Sequence, residues 1–68
     1  MLAKEIGFRI SYLRKNKLNM NQEEFGKLIA MDRSAINKIE NGKSNITICT
    51  LEKILQALNI TSKEFFYF

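Results

Sequence analysis

The chain has 68 residues, of which 46% are hydrophobic and 26% are charged, so it has the size of one small domain and is too apolar for a disordered chain. It contains no proline and only three glycines, which favours helices over turn-rich β structure. A single cysteine argues against a disulfide framework, and the lack of histidine argues against a metal site or a catalytic triad. The net charge of +4 fits an anionic partner, and the lack of a secretory signal or membrane-spanning apolar run predicts one cytoplasmic domain over residues 1–68.

Helix one is predicted from about residue 2 to residue 16, because apolar residues recur at helical spacing and would face inward: Leu2, Ile6, Ile10 and Leu13. The excess positive charge lies in the first twenty residues, where five cationic residues stand against one acidic residue, Glu5. Cations near the end of a helix stabilise its C-terminus, and cations in the same place can also bind a phosphate. The sequence leaves both roles open.

Two short helices with a tight turn between them are predicted in the middle of the chain. Asn21 followed by Glu24 is a capping-box pattern, so helix two should begin at residue 22. Asp32 is the N-cap candidate of helix three, and Gly42 follows its end, since glycine is the usual residue where the chain turns left-handed. Two helices this close form a helix-turn-helix, and the second helix of such a pair can enter the major groove of DNA.

The outer face of helix three decides whether this pair reads DNA. Ile36 and Ile39 would form its buried stripe, which turns four hydrogen-bonding residues outward: Arg33, Ser34, Asn37 and Lys38. Each of these residue types can address a base edge or a phosphate, so these four are the candidate base readers. A single amphipathic helix is often polar outside only because that face is wet. Two capped helices in a basic chain favour the DNA-reading interpretation.

Helix four is predicted from about residue 48 to residue 58, with a core stripe of Ile48, Leu51, Ile54, Leu55 and Leu58. Helix five should be short, beginning after the capping-box pair Thr61 and Glu64, with Phe65 sealing the core. Cys49 lies outside the stripe and is interpreted as a plain thiol. The aromatic C-terminal end is more apolar surface than a small monomer usually exposes, so a dimer contact is predicted there: Leu58, Ile60, Phe66, Tyr67 and Phe68.

A series of residues matches a known family pattern in order and at near-family spacing: Ile10, Leu13-Arg14, Gln22-Glu23-Glu24-Phe25-Gly26, Met31-Asp32-Arg33-Ser34, Ile36, Ile39-Glu40, Gly42, Thr50-Leu51, Ile54 and Ala57-Leu58. On these residues the chain resembles the Cro/XRE-type, phage-repressor-like helix-turn-helix family over nearly its whole length. The stretch from residue 31 through residue 47, with Phe65-Phe66 near the end, is also similar to the controller proteins of restriction–modification systems. The resemblance implies an all-α, compact five-helix, lambda-repressor-like DNA-binding domain with the helix-turn-helix at helices 2–3.

The resemblance also implies that Arg14 pairs with Glu40 and ties helix one to the end of helix three. Arg14 lies one residue further from helix two than is usual in the family, so either the intervening turn is one residue longer or Lys15 takes this place. We expect the longer turn, because it keeps Leu13 in the core. Ala30 stands where the family usually has a glycine with positive φ, which implies strain on the order of 1 kcal/mol.

Polar residues at the ends of helices two and three are expected to contact the DNA backbone. The resemblance implies phosphate contacts for two of them, Gln22 and Asn41. Lys43 directly follows helix three and is basic, which suits a phosphate clamp. The complete set of expected backbone contacts is Asn21, Gln22, Asn41, Lys43 and Ser44.

The sequence therefore predicts a sequence-specific regulator of transcription, of the repressor or controller type, that binds double-stranded DNA. It should bind a palindromic operator as a homodimer, without enzymatic activity, cofactor, metal or small-molecule ligand. The alternative is a protein-interaction module, such as an antitoxin-like partner that uses the same fold.

Overall fold

The computed structural model describes residues 2–67 and shows five α-helices and no strand in that part of the chain. A π-helical turn, Arg14–Leu18, follows the first helix. The predicted all-helical, five-helix architecture is therefore confirmed, with the helices in the order α1 (Leu2–Leu13), α2 (Gln22–Leu28), α3 (Arg33–Glu40), α4 (Ile48–Leu58) and α5 (Ser62–Phe65).

Local capping sets where four of these helices begin. In each case a polar side chain at the N-cap accepts a hydrogen bond from the backbone N–H three residues later, which satisfies one of the donors that a helix start leaves free. The two predicted capping boxes are present at the starts of α2 and α5. Each such cap contributes about 1 kcal/mol. The four N-cap residues are Asn21, Asp32, Thr47 and Thr61.

The end of α1 differs from the sequence prediction of a regular helix to residue 16. The α-helix ends at Leu13, and the next five residues form the π-helical turn, which closes at Asn19 with a left-handed φ of 54°. A π turn takes up one residue more than an α turn, so it absorbs the extra residue before helix two. Leu13 and Arg14 are both buried as a result. The longer turn that we expected is present.

The core lies where α1, α2, α3, α4 and α5 meet, and it contains Ile6, Ile10, Leu13, Phe25, Ile29, Ile36, Ile39, Ile54, Leu55, Leu58 and Phe65. Two residues of the predicted stripes were assigned wrongly, since Leu2 is 61% exposed and Ile48 is 78% exposed. Each is the first residue of its helix, and helical side chains lean toward the helix N-terminus. Their side chains therefore lie beyond the edge of the core.

Glycine is required at two contacts between α1 and α3. A Cβ at Gly7 would meet the carbonyl oxygens of Ile39 and Glu40, the second at 2.6 Å, so only glycine lets the two backbones approach this closely. Gly42 has a φ of 71° directly after α3 and lies against Lys4 of α1. The chain turn predicted at Gly42 is confirmed.

Candidate nucleic-acid interface

The outer face of α3 carries the four predicted base readers. Ile36 and Ile39 are buried on the inner face. The side chains opposite them are exposed and line one shallow concavity, which is formed by Arg33, Ser34, Asn37 and Lys38. Arg33 and Lys38 therefore offer charged donors to a DNA groove, and Ser34 and Asn37 offer neutral donors and acceptors.

The turn between α2 and α3 is as short as the sequence indicated. Ala30 has a φ of 59°, and the N–H of Met31 donates to the carbonyl oxygen of Gly26 at 2.8 Å. A non-glycine residue in this conformation costs about 1 kcal/mol.

A buried ion pair ties the turn after α1 to the end of α3. Arg14 Nε donates to Glu40 Oε2 at 2.7 Å, and Arg14 Nη2 donates to Glu40 Oε1 at 2.9 Å. The third guanidinium nitrogen donates to the carbonyl oxygen of Met20 at 2.7 Å. The two side chains are only 6% and 5% exposed. Such a bidentate pair fixes geometry, because neither partner has a low-energy alternative once water is excluded.

Polar contacts continue from this pair to the exposed face of α3. Gln22 Nε2 donates to Glu40 Oε1 at 3.0 Å, and Gln22 Oε1 accepts from Asn37 Nδ2 at 3.4 Å. Asn41 Nδ2 donates to Asn37 Oδ1 at 3.1 Å and to the Asn37 carbonyl oxygen at 2.9 Å. We call Gln22, Asn37 and Asn41 the amide cluster. Sequence reasoning missed it, since Gln22 and Asn37 are 15 residues apart.

The predicted backbone-contacting residues are only partly brought together. Asn21 and Gln22 line a concavity between the starts of α2 and α3, next to Arg33. Lys43 is exposed directly beyond α3. Ser44 lies apart from them, because it lines a concavity against the beginning of α1.

The basic residues of the first twenty positions mostly serve the fold. Arg9 Nε donates to the carbonyl oxygen of Phe65 at 3.1 Å, and Lys17 Nζ donates to that of Asn59 at 2.8 Å. These cations bind the C-terminal ends of α5 and α4, where the helix dipole is negative. Lys4 and Lys15 remain exposed. The net charge of the N-terminal segment therefore overstates what it can offer to a phosphate.

The residues of the predicted dimer contact differ in exposure. Tyr67 is 86% exposed and Phe66 is 42% exposed, while Ile60 is half-buried. Leu58 was assigned to this contact wrongly, since it is fully buried in the core by the neighbouring helices. Phe68 lies outside the described residues.

Within residues 2–67 no group of three histidine, cysteine, aspartate or glutamate residues could hold a metal ion. None of the helices in that range is long and apolar enough to cross a membrane. Cys49 is a free, exposed thiol.

Comparisons with known proteins agree with this geometry. The helix-turn-helix family model matches residues 10–65. Control protein C.MunI from Mycoplasma sp is 43% identical over 60 residues, which cover 88% of this chain and 81% of that protein. The restriction–modification controller protein C.AhdI from Aeromonas hydrophila has a crystal structure with a TM-score of 0.86 at 31% identity, covering 94% of this chain and 91% of that chain.

A further solved structure contains DNA. It is the tetramer of the restriction–modification controller protein C.Esp1396I in complex with its natural 35 base-pair operator. It matches with a TM-score of 0.86 at 33% identity, covering 97% of this chain and 86% of that chain. The resemblance stated from the sequence is thereby confirmed, and the chain belongs to the helix-turn-helix family of DNA-binding transcription regulators, with restriction–modification controller proteins among its relatives.

Proposed function

We propose that this regulator binds a roughly palindromic operator as a homodimer, with α3 of each copy in the major groove. The observation that carries the proposal is the exposed polar face of α3, which is held rigidly by the buried stripe behind it and by the Arg14–Glu40 pair at its end. A reader needs such a fixed helix, because base discrimination depends on donor and acceptor positions. The operator complex of C.Esp1396I supports the same use of the fold.

We assign base contacts to Arg33, Ser34 and Lys38. Arginine and lysine suit guanine, and serine adapts to several bases. Asn21, Gln22, Asn41 and Lys43 border this face and are suited to the phosphates on either side. Ser44 could take part only as a peripheral backbone contact, because it faces the start of α1.

We propose that a second copy covers the exposed aromatic end of the chain, at Ile60, Phe66 and Tyr67. An exposed aromatic surface of this kind favours association. Two copies would then place their recognition helices about 34 Å apart, one turn of DNA, on two half-sites. We place the protein in the cytoplasm, where bacteria such as the source organisms of its relatives hold their DNA.

The test is selection of bound duplexes from a random pool, followed by titration of the enriched duplex at two salt concentrations. We expect an inverted repeat to be enriched and affinity to fall steeply with salt, because phosphate contacts release counterions. Salt-sensitive binding with a pool that stays random would contradict sequence-specific recognition. No binding, together with a tightly co-purifying protein, would instead support an antitoxin-like interaction module.

A further inference from the structure

The amide cluster forms a chain of hydrogen bonds that begins at the buried Glu40 carboxylate. Glu40 accepts from the Gln22 NH₂ group, Gln22 Oε1 accepts from the Asn37 NH₂ group, and Asn37 Oδ1 accepts from the Asn41 NH₂ group. Arg14 binds both oxygens of Glu40 and so holds the first acceptor in place. The exposed Asn37 is thus connected, through one intermediate side chain, to a pair that is almost fully buried.

The direction of every bond in this chain follows from Glu40. A carboxylate only accepts, so Gln22 must turn its NH₂ group toward it and its oxygen toward Asn37. Asn37 must then donate with its own NH₂ group, which leaves its oxygen facing Asn41. Asn41 must donate in turn, and it does so to both Asn37 Oδ1 and the Asn37 carbonyl oxygen. The three carboxamides therefore have one orientation.

This orientation restricts what Asn37 can do in a groove. Reading adenine takes both carboxamide atoms of an asparagine, with the oxygen accepting from N6 and the nitrogen donating to N7. In Asn37 both atoms are already bonded, one to Gln22 and one to Asn41. Turning the carboxamide toward a base would break both bonds. By contrast, the NH₂ groups of Gln22 and Asn37 each have a second hydrogen that these bonds do not use.

We propose that Asn37 is a positioning residue that orients Gln22, so that the unused N–H of Gln22 can donate to a phosphate of the DNA backbone, and that Asn37 does not read a base. The inference rests on the proposed DNA binding and assigns Asn37 a different role within it. A phosphate oxygen only accepts, so it matches outward-facing N–H groups. Arg33, which borders the same concavity as Gln22, supplies positive charge against one exposed carboxylate, Glu23.

The test compares Asn37→Ala, Gln22→Ala and the double variant on the selected operator and on a random duplex of equal length. We expect Asn37→Ala to lose about tenfold in affinity for both duplexes, because Gln22 then loses its oriented hydrogen bond to a charged phosphate. The loss should be equal because the bases are not involved. Its base preferences at every operator position should stay those of the wild type. The double variant should lose about as much as Gln22→Ala alone, because Asn37 acts through its neighbour.

Methylphosphonate substitution, one phosphate at a time, gives a readout that a purely structural role would not change. In the wild type, one neutralised phosphate should weaken binding, and in Asn37→Ala the same substitution should have little further effect. Ser34→Ala is the matched control on the same helix face, and it should keep its sensitivity at that phosphate while changing its base preferences, because Ser34 does not line the concavity that contains Gln22. Thermal unfolding of each variant reports whether it still folds.

Three outcomes would overturn the inference while leaving the proposed function intact. They are a changed base preference in Asn37→Ala with unchanged affinity for random DNA, additive losses in the double variant, and an unchanged methylphosphonate profile. Failure of the wild type to bind any duplex would overturn both proposals.

Discussion

At the scale of single residues, two cations at α3 are proposed to make different kinds of DNA contact. Arg33 lies on the exposed face of this helix, whereas Lys43 lies directly beyond the helix end. A guanidinium can form a bidentate contact with guanine, while a lysine after the helix is suited to the phosphate backbone.

Arg33→Ala should therefore cost roughly 1–3 kcal/mol in operator binding and relax specificity at one base pair. Lys43→Ala should weaken binding to all sequences similarly and reduce the slope of log affinity against log salt by about 1. Titrations of both variants on operator and random duplexes measure these effects. Equal losses on the two duplexes for Arg33→Ala would refute its role as a base reader.

Arg14 holds the end of α3 through its bidentate pair with Glu40. Arg14→Ala would leave the nearly buried Glu40 carboxylate without its cation, which should cost about 3–5 kcal/mol of the free energy of unfolding. This is a large share for so small a domain. Urea unfolding measures the loss, and Lys15→Ala, which removes an exposed cation next to it, is the control. A loss below about 1 kcal/mol would mean that the pair is weaker than its geometry suggests.

At the scale of elements, the close approach of α1 to α3 requires that residue 7 is a glycine, which has no side chain. Gly7→Ala would gain up to about 1 kcal/mol in helix propensity. Its methyl group would meet backbone carbonyls of α3, which cannot move aside as a flexible side chain would, and overpacking of this kind costs about 1–3 kcal/mol. We expect a net loss of stability and weaker operator binding.

Thermal unfolding and operator titration of Gly7→Ala check this expectation. Gln56→Ala, at an exposed position of α4, tests a helical alanine without a clash. A Gly7→Ala variant as stable as the wild type would show that α1 can shift without cost.

The capping box at the start of α5 is expected to lose stability in acid. The backbone N–H of Thr61, and then its hydroxyl, donate to Glu64 and lower the pKa of that carboxyl below its ordinary value of 4.5. Because the folded-state pKa is lowered, the cap contributes stability above pH 4.5 and loses it as the pH falls through the folded value. Thr61→Ala should raise the pKa of Glu64 in an NMR titration. An identical titration curve in the variant would contradict this assignment.

At the scale of the whole molecule, the charge and the apolar surface are distributed unequally. Arg9 and Lys17 bind the ends of α5 and α4, whereas Arg33 and Lys38 on α3 and Lys43 beyond it are exposed. Exposed aromatic side chains lie on α1, at Phe8 and Tyr12, and at the C-terminal end, at Phe66 and Tyr67.

We expect Tyr67→Ser to raise the dimer dissociation constant about tenfold, as loss of a central aromatic contact does at interfaces. Tyr67 is suited to this test because its high exposure means that the substitution should not disturb the monomer core. Sedimentation over a range of concentrations measures the effect. Ile48→Ser, an exposed apolar residue at the start of α4, is the control. A wild type that stays strictly monomeric at high concentration would refute the dimer.

Much of the fold was predictable because its signals are local. An N-cap side chain and its backbone partner are three residues apart, so the starts of α2, α3 and α5 follow from short stretches of sequence. The buried and exposed faces of α3 also follow from helical periodicity. Periodicity failed at Leu2 and Ile48 because it describes a face of a helix and says nothing about where the core ends.

The sequence by itself determined the family, the helix-turn-helix and the outward residues of α3, because spacing within a few turns decides them. Only the tertiary structure decided which polar groups meet across the molecule. Arg9 meets a carbonyl 56 residues away, and Gln22 meets Asn37 15 residues away. Such contacts depend on how whole helices cross, and helix crossing results from core packing and close backbone approach, as at Gly7, which no local pattern encodes.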